Sequence, residues 1–111
     1  MDCLFCKIVS GEIPASLVRT GDRTIAFNDI NPQAPTHVLI IPKKHCENVG
    51  QLAVQDPQAL QELFIAAEEI AALNSLAGYR SVFNTGAEAG QSVFHAHLHL
   101  IGGRALQWPP G

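Results

Sequence analysis

The sequence lacks any apolar stretch long enough to cross a membrane. Among its 111 residues the longest continuous apolar runs, such as residues 38–41, fall far short of the about 20 that a transmembrane helix needs. The N-terminus also lacks the basic start and the long apolar run of a signal peptide, and it is acidic at Asp2. We therefore expect a cytoplasmic protein with no membrane partner.

Positive charge is scarce as well, because seven Lys and Arg residues stand against ten Asp and Glu, for a formal net charge of -3. Proteins that bind duplex nucleic acid usually present a basic face, so this balance argues against a nucleic-acid partner. A single nucleotide remains compatible with it, because a few local donors can hold one phosphate.

The chain cannot form a complete set of internal disulfides, because its three cysteines are an odd number. Reduced thiols or a metal site fit this count better. The length suits one domain spanning residues 1–111, and a hydrophobic content of 47% can supply its core.

The order of predicted elements indicates the fold class. A short helix over residues 3–9 precedes strands at 17–20, 24–28 and 38–41, and two further strands are predicted at 79–85 and 93–101. Between them a long helix is predicted over residues 56–77, with Asp56 as N-cap and Pro57 at its first position. Strands before and after one long helix predict an α+β domain with a mainly antiparallel sheet.

The segment HAHLHLI, which begins at His95, is the most informative part of the sequence. Alternate residues of a strand share a face, so His95, His97 and His99 are predicted to line one face, opposite three apolar residues. Such a row can be a solvated or satisfied polar face, a metal site, or a site of imidazole chemistry. A flat row of three rings is a poor cage for one small ion, which favours nucleophilic and proton-transfer chemistry.

Three separated segments resemble one family. GQSVF followed by HAHLHLIGG resembles the signature of the histidine-triad (HIT) superfamily, and DINPQAPTHVLIIPKKH and WPPG resemble its Hint branch, the nucleoside phosphoramidate hydrolases. This resemblance implies a HIT-like fold: a five-stranded antiparallel sheet with one long and one short helix, continued across a homodimer.

The resemblance also implies roles for individual polar residues. His97 matches the nucleophile that attacks the α-phosphorus and forms a nucleotidyl-histidine intermediate, which water then hydrolyses. His99 matches the residue that contacts the α-phosphate, and His95 would orient the row. Ser92 matches a hydroxyl near the leaving group. Asn84 and Gln91 match polar residues near the phosphate.

Nucleotide binding is implied in the first third of the chain. Asp29 matches a carboxylate that accepts hydrogen bonds from the ribose hydroxyls, although a turn residue before Asn31-Pro32 is the alternative from the residues themselves. The family's apolar walls around a purine base match five residues that would otherwise be read as core: Leu4, Phe5, Ile8, Phe27 and Ile30.

Cys3 and Cys6 form a CxxC pair, a spacing that can hold zinc. The resemblance adds His45 and His95 as ligands and implies a structural zinc that takes no part in catalysis, so that no cofactor is needed for the reaction. Two buried thiols or a redox pair are the alternatives, and Cys46 is assigned no function.

The implied activity is hydrolysis of the P–N bond of a purine nucleoside 5'-phosphoramidate, of the AMP-amine or AMP-lysine type, to a nucleoside monophosphate and an amine. Dinucleoside polyphosphate hydrolysis or nucleotidyl transfer on the same scaffold is an alternative. A nucleotide-binding or scaffolding module with little catalysis is another.

Overall fold

The computed structural model describes residues 2–111 as a five-stranded antiparallel sheet with helices. In chain order the elements are α1 (Leu4–Ser10), β1 (Leu17–Thr20), β2 (Thr24–Asn28), β3 (Thr36–Pro42), α2 (Val49–Gln55), α3 (Pro57–Leu73), β4 (Tyr79–Val82) and β5 (Leu98–Gly102). The strand order is β1-β2-β3-β5-β4, and every neighbouring pair is antiparallel. The predicted α+β class and strand number are confirmed.

The sheet is covered on both faces, and β3 lies at its centre. One face packs its apolar side chains, including Ile40 and Leu98, against α3 residues such as Leu63. The other face packs Phe27 and Leu39 against Phe5 of α1. This second face also holds the histidine rings, and Phe5 of α1 packs against the ring of His97.

Helix α3 begins where the sequence predicts, because the Asp56 side chain accepts a hydrogen bond from the Ala59 amide and Pro57 occupies the first turn. The predicted end at residue 77 is wrong, since the helix stops at Leu73. The Asn74 side-chain amide donates to the Ile70 carbonyl at 2.8 Å, and Ser75 adopts a left-handed φ of 53°. Asparagine competes in this way for a carbonyl that the helix would otherwise use.

A short helix, α2, was not predicted and precedes α3 directly. Its N-cap is Asn48, whose side-chain oxygen accepts from the Gln51 amide at 3.0 Å. The Gln51 side chain in turn accepts from the Glu47 amide. These two contacts differ from a capping box in that Gln51 accepts from the residue before the N-cap, and the helix is only seven residues long.

The predicted strand at residues 93–101 is wrong in its first half, because β5 begins at Leu98. The preceding residues are tied to loops instead of to a neighbouring strand. The Ala96 amide donates to the Cys46 carbonyl at 2.7 Å, and the Gln91 side chain donates to the Val93 carbonyl at 3.1 Å. Strand β4 likewise ends at Val82 and does not reach residue 85.

No helix within residues 2–111 is both long enough and apolar enough to span a membrane.

Candidate functional site

The three histidines of the HAHLHLI segment lie on one side of their chain but not in one strand. Only His99 belongs to β5, whereas His95 and His97 precede it. Ala96 and Leu98 point into the core on the α3 side. His97 lies beside His99, with ring centroids 4.9 Å apart, while His95 turns towards the cysteines of the N-terminus. One row of side chains therefore serves two neighbouring sites.

The His97 ring is held in one tautomer by the backbone. Its Nδ1 lies 2.8 Å from the His95 carbonyl oxygen, which can only accept, so Nδ1 carries the proton. The Nε2 atom then holds a lone pair, as a nucleophile requires. Phe5 packs edge-on against this ring, with the two ring centroids 5.1 Å apart, and so restricts the orientation of the imidazole. His97 is thus a buried imidazole with a defined nucleophilic atom.

His99 contacts a histidine that the sequence reasoning missed. His37, at the start of β3, is buried, and its Nε2 lies 3.0 Å from Nδ1 of His99. Leu39 pairs with His99 in the sheet register, so His37 is the diagonal neighbour of His99 on the same face. Finding it from sequence would have required the register of β3 against β5.

Burial keeps the triad imidazoles neutral. Desolvation lowers the pKa of His99 to about 4, with smaller contributions from His97 and His37. Desolvation also lowers the pKa of His97 from its ordinary value, against an opposing hydrogen bond to the His95 carbonyl. Neutral rings near pH 7 suit a site in which one imidazole attacks and another donates an N–H.

Asp29 lies at the edge of this cluster. Its Oδ1 accepts from the Asn31 amide at 2.8 Å, which is the turn role that the sequence left open. Its Oδ2 lies 3.4 Å from Nε2 of His37. One carboxylate oxygen therefore shapes the turn, while the other faces the histidines.

Asp29, His37 and His99 converge closely enough to be considered as metal ligands, with all ligand atoms within 4.8 Å. The chemistry of His37 argues against this use. Its Nδ1 accepts the Gln33 amide N–H at 3.0 Å, so a neutral ring carries its proton on Nε2 and has no lone pair there for an ion. This cluster is therefore a hydrogen-bond chain.

The second cluster, which contains Cys3, Cys6, His45 and His95, fits a metal. The His95 Nε2–H donates to the Pro42 carbonyl at 2.8 Å, which leaves the lone pair on Nδ1 facing the thiols. The His95 Nδ1 lies 3.4 Å from Cys3 Sγ, 3.5 Å from Cys6 Sγ and 3.2 Å from His45 Nδ1. The Cys6 Sγ lies 3.4 Å from His45 Nδ1.

These distances match the edges of a small tetrahedron. Zinc bonds of about 2.3 Å to sulfur and about 2.0–2.1 Å to nitrogen place neighbouring ligand atoms roughly 3.3–3.8 Å apart. Cys3 caps α1, and its sulfur accepts the Cys6 amide N–H at 3.3 Å. The two sulfurs and two nitrogens therefore have the composition and spacing of a closed structural zinc site.

Among the other polar residues predicted near the phosphate, Gln91 uses its side chain for hydrogen bonds within the protein. Its side-chain oxygen accepts from the Gly86 amide at 2.9 Å, and its nitrogen donates to the carbonyls of Glu47 and Val93. Gln91 thus shapes the loop before the triad. Ser92 is exposed and lines a cleft of about 440 Å³ with Leu4, while Asn84 is half-buried.

The five apolar residues of the predicted base pocket separate into two groups. Phe5 and Phe27 are buried and belong to the core on the α1 side, and Ile8 packs against that core. Leu4 is 46% exposed and Ile30 is fully exposed. Leu4 and Ile30 therefore leave apolar surface exposed, whereas Phe5 and Phe27 lie in the core.

The comparisons with known proteins agree with one another. The HIT domain family model matches residues 10–106. An uncharacterized HIT-like protein of Synechocystis is 48% identical over 111 residues, covering 99% of this chain and 97% of the relative. The crystal structure of a HIT family hydrolase from Legionella pneumophila is 50% identical, with a TM-score of 0.94, and the match covers 99% of this chain and 100% of that one. A HIT family hydrolase from Clostridium thermocellum is 44% identical, with a TM-score of 0.90 and coverage of 96% and 94%.

Proposed function

This chain belongs to the HIT domain family, and from that premise we propose that it hydrolyses the P–N bond of purine nucleoside 5'-phosphoramidates. Solved relatives are HIT family hydrolases, which supports hydrolysis as the reaction class. The observation that supports the specific chemistry most is the His97 ring, whose Nδ1–H is held by the His95 carbonyl and whose Nε2 is left as the nucleophilic atom.

In the first step Nε2 of His97 attacks the α-phosphorus. A P–N bond to the imidazole forms as the P–N bond to the amine breaks, and the departing amine takes a proton from solvent through the exposed Ser92 hydroxyl. His99 donates its Nε2–H to a phosphate oxygen, because its Nδ1 already accepts from His37. In the second step water attacks phosphorus and loses a proton to solvent, the P–N bond to His97 breaks with its electron pair returning to Nε2, and nucleoside monophosphate is released.

Recognition of the nucleotide falls to residues around the histidines. Asp29 would accept hydrogen bonds from the ribose hydroxyls, and Leu4 and Ile30 would contact the purine base. Both apolar residues are exposed, so a flat base can cover them without rearranging the core.

The direct test is AMP release from adenosine 5'-phosphoramidate by the wild type and by His97→Gln. Glutamine keeps a polar amide of similar reach but cannot form the covalent intermediate, so we expect a loss of several orders of magnitude with AMP binding retained. Turnover that survives the substitution would remove His97 from the nucleophile role. A wild type that binds AMP but shows no turnover would instead favour a binding module.

We also propose that Cys3, Cys6, His45 and His95 hold a structural zinc. When bound, the ion would supply a cross-link between the N-terminus, the loop after β3 and the segment before β5. His95 would contribute Nδ1 to the ion while its carbonyl oriented His97, so the metal would support the site without entering the reaction.

A homodimer with a continuous sheet is part of the same proposal. Strand β4 is one edge of the sheet. The opposite edge strand, β1, has a register shift after Leu17, and this irregularity makes it less suited to pair with another strand. Tyr79 of β4 and Phe64 of α3 expose 38% and 48% of their surface, and Trp108 of the C-terminal tail exposes 81%. Light scattering should give twice the chain mass of 11.9 kDa. A stable monomer at micromolar concentration would contradict the dimer.

A further inference from the structure

A cleft of about 440 Å³ opens beside Ser92, between residues 2–4 of the N-terminus and residues 92–94 before the triad. Its volume falls within the range of about 300–1,000 Å³ that is usual for small-molecule sites. His45 also lines it, whereas His99 and Asp29, the proposed phosphate and ribose contacts, do not. The phosphate and ribose of a nucleotide therefore leave this space unaccounted for.

Both walls of the cleft are held in place by hydrogen bonds within the protein. On the N-terminal side, the Cys3 sulfur accepts the Cys6 amide N–H at 3.3 Å and so anchors the start of α1. On the opposite side, the Gln91 side chain donates to the Val93 carbonyl at 3.1 Å. Val93 also packs against the apolar cluster that contains Phe5. A ligand would therefore meet a preformed cleft, which lowers the entropic cost of binding.

The lining combines apolar surface with one carboxylate. Phe94 is 44% exposed and Leu4 is 46% exposed, so both can still bury apolar surface against a ligand. Asp2 is exposed, and within residues 2–111 its carboxylate forms no ion pair or hydrogen bond. Neither Lys nor Arg is among the described residues that line the cleft. This combination suits an aliphatic chain that ends in a positive charge.

Ser92 connects the cleft to the proposed reaction. Its hydroxyl is exposed at the cleft and forms no hydrogen bond with the described part of the chain, so it is available to a departing amine. A substituent on the nitrogen that leaves beside Ser92 would enter the cleft, where it meets Phe94 and Asp2. An unsubstituted ammonia leaving group would leave the same space to water.

We propose that this cleft is the subsite for the leaving amine, and that it selects alkylamines that carry a second positive charge. Phe94 contacts the alkyl chain, and Asp2 pairs with the charge. The reaction at phosphorus rests on the proposed function, but binding of the amine substituent can be measured without any turnover.

Three adenosine 5'-phosphoramidates test the subsite: the N-methyl, N-hexyl and N-(6-aminohexyl) compounds. Each releases a primary alkylamine, so differences in kcat/KM report contacts of the substituent more than the reactivity of the P–N bond. We expect the N-hexyl compound to exceed the N-methyl compound roughly tenfold or more, because several methylene groups leave water. The aminohexyl compound should exceed the hexyl compound about two- to fivefold at low salt, and high salt should reduce this preference.

Asp2→Asn and Glu88→Gln form a matched pair, because each removes one exposed negative charge. Glu88 lies in the loop that precedes Ser92 but does not line the cleft. In Asp2→Asn we expect the hexyl and aminohexyl compounds to have equal kcat/KM, whereas Glu88→Gln should keep the wild-type preference. Phe94→Ala should reduce the advantage of the hexyl compound over the methyl compound.

Calorimetry with His97→Gln separates the subsite from the reaction, because this variant is expected to bind the intact compounds without cleaving them. Affinity should decrease from the aminohexyl to the hexyl to the methyl compound. If the wild type hydrolyses none of them, the proposed function fails, while this order of affinities and its loss in Asp2→Asn would still support the subsite.

Equal affinities of the hexyl and methyl compounds would overturn the subsite. So would a preference for the aminohexyl compound that survives in Asp2→Asn, or one that is lost equally in Glu88→Gln, since the overall charge of the protein would then be the cause.

Discussion

At the residue scale, each histidine is distinguished by the polarity of the group that its ring contacts. The Pro42 carbonyl takes the Nε2–H of His95 and leaves the lone pair on Nδ1. The His95 carbonyl takes the Nδ1–H of His97 and leaves the lone pair on Nε2. One backbone contact therefore decides which ring nitrogen of each histidine is unprotonated.

The lowered pKa of His99 predicts how stability depends on pH. Burial lowers this pKa to about 4, compared with an ordinary value of 6.5 in the unfolded chain. As pH falls from about 6.5 towards 4, the unfolded chain takes up a proton that folded His99 refuses, so stability falls across that window and levels off below it.

We therefore expect the urea midpoint of the wild type to fall between pH 7 and pH 4.5, and the midpoint of His99→Gln to fall less, because glutamine does not titrate. The difference between the two proteins isolates His99 from the other histidines, which titrate in both. If the urea midpoints of the two proteins fell in parallel with pH, the loss of stability could not be attributed to His99.

At the element scale, the start of α3 is set by a local sequence signal, whereas its end depends on which partner one side chain chooses. Asp56-Pro57 is a local start signal, and the structure begins the helix there. The end depends on the Asn74 side chain turning back to the Ile70 carbonyl, which is one of several options for an asparagine. The start could therefore be predicted and the end could not.

The N-cap of α3 offers a matched pair of substitutions. Asp56 Oδ1 accepts from the Ala59 amide at 3.2 Å and lies 3.4 Å from Nη1 of Arg23. Asp56→Ala removes the cap and should cost about 1 kcal/mol of unfolding free energy in urea titrations. Asp56→Asn keeps the capping oxygen and removes only a partly exposed ion pair, so it should cost less. Equal losses would mean that the charge, not the cap, stabilises the helix.

For strand β5, the alternation of histidine with apolar residues predicted which side each side chain faces, but not where the strand begins. Alternation of histidine with apolar residues separated the site side from the core side, and Ala96 and Leu98 do lie in the core. The start of the strand depends on where the Ala96 amide finds its acceptor. It finds the Cys46 carbonyl, 50 residues away in sequence, so no local pattern could have indicated it.

At the scale of the whole molecule, His95 joins the cysteine cluster to the catalytic candidate. Its ring faces Cys3 and Cys6, and its carbonyl holds His97. The cluster draws on α1, the loop after β3 and the segment before β5, which are distant in sequence. An ion bound there would stabilise the folded chain, because the unfolded chain does not hold these ligands together.

Metal removal gives the corresponding prediction. Protein purified without chelators should contain about one zinc per chain, and a strong chelator should lower its Tm. Cys6→Ser should lose the zinc, and its Tm should respond little to chelator. Cys46→Ala is the control, because this buried cysteine lies outside the cluster and its loss should leave the zinc content unchanged. Wild-type protein without zinc would contradict the metal proposal.

The sequence by itself determined the features that depend on neighbours in the chain. These are the α+β class, strands β1 and β2, the start of α3, the CxxC pair and the alternation around His97. Each follows from residues within a few positions of one another, where backbone geometry links spacing to direction.

Only the tertiary structure decided which of these residues meet. It brought His37 to His99 through the register of β3 against β5, committed Gln91 to the loop, and placed Phe5 behind His97. Contacts of this kind depend on strand pairing and on acceptors many residues away, and a one-residue change of register would point each side chain to the other face. Sequence patterns therefore indicated the chemistry, and long-range packing decided its geometry.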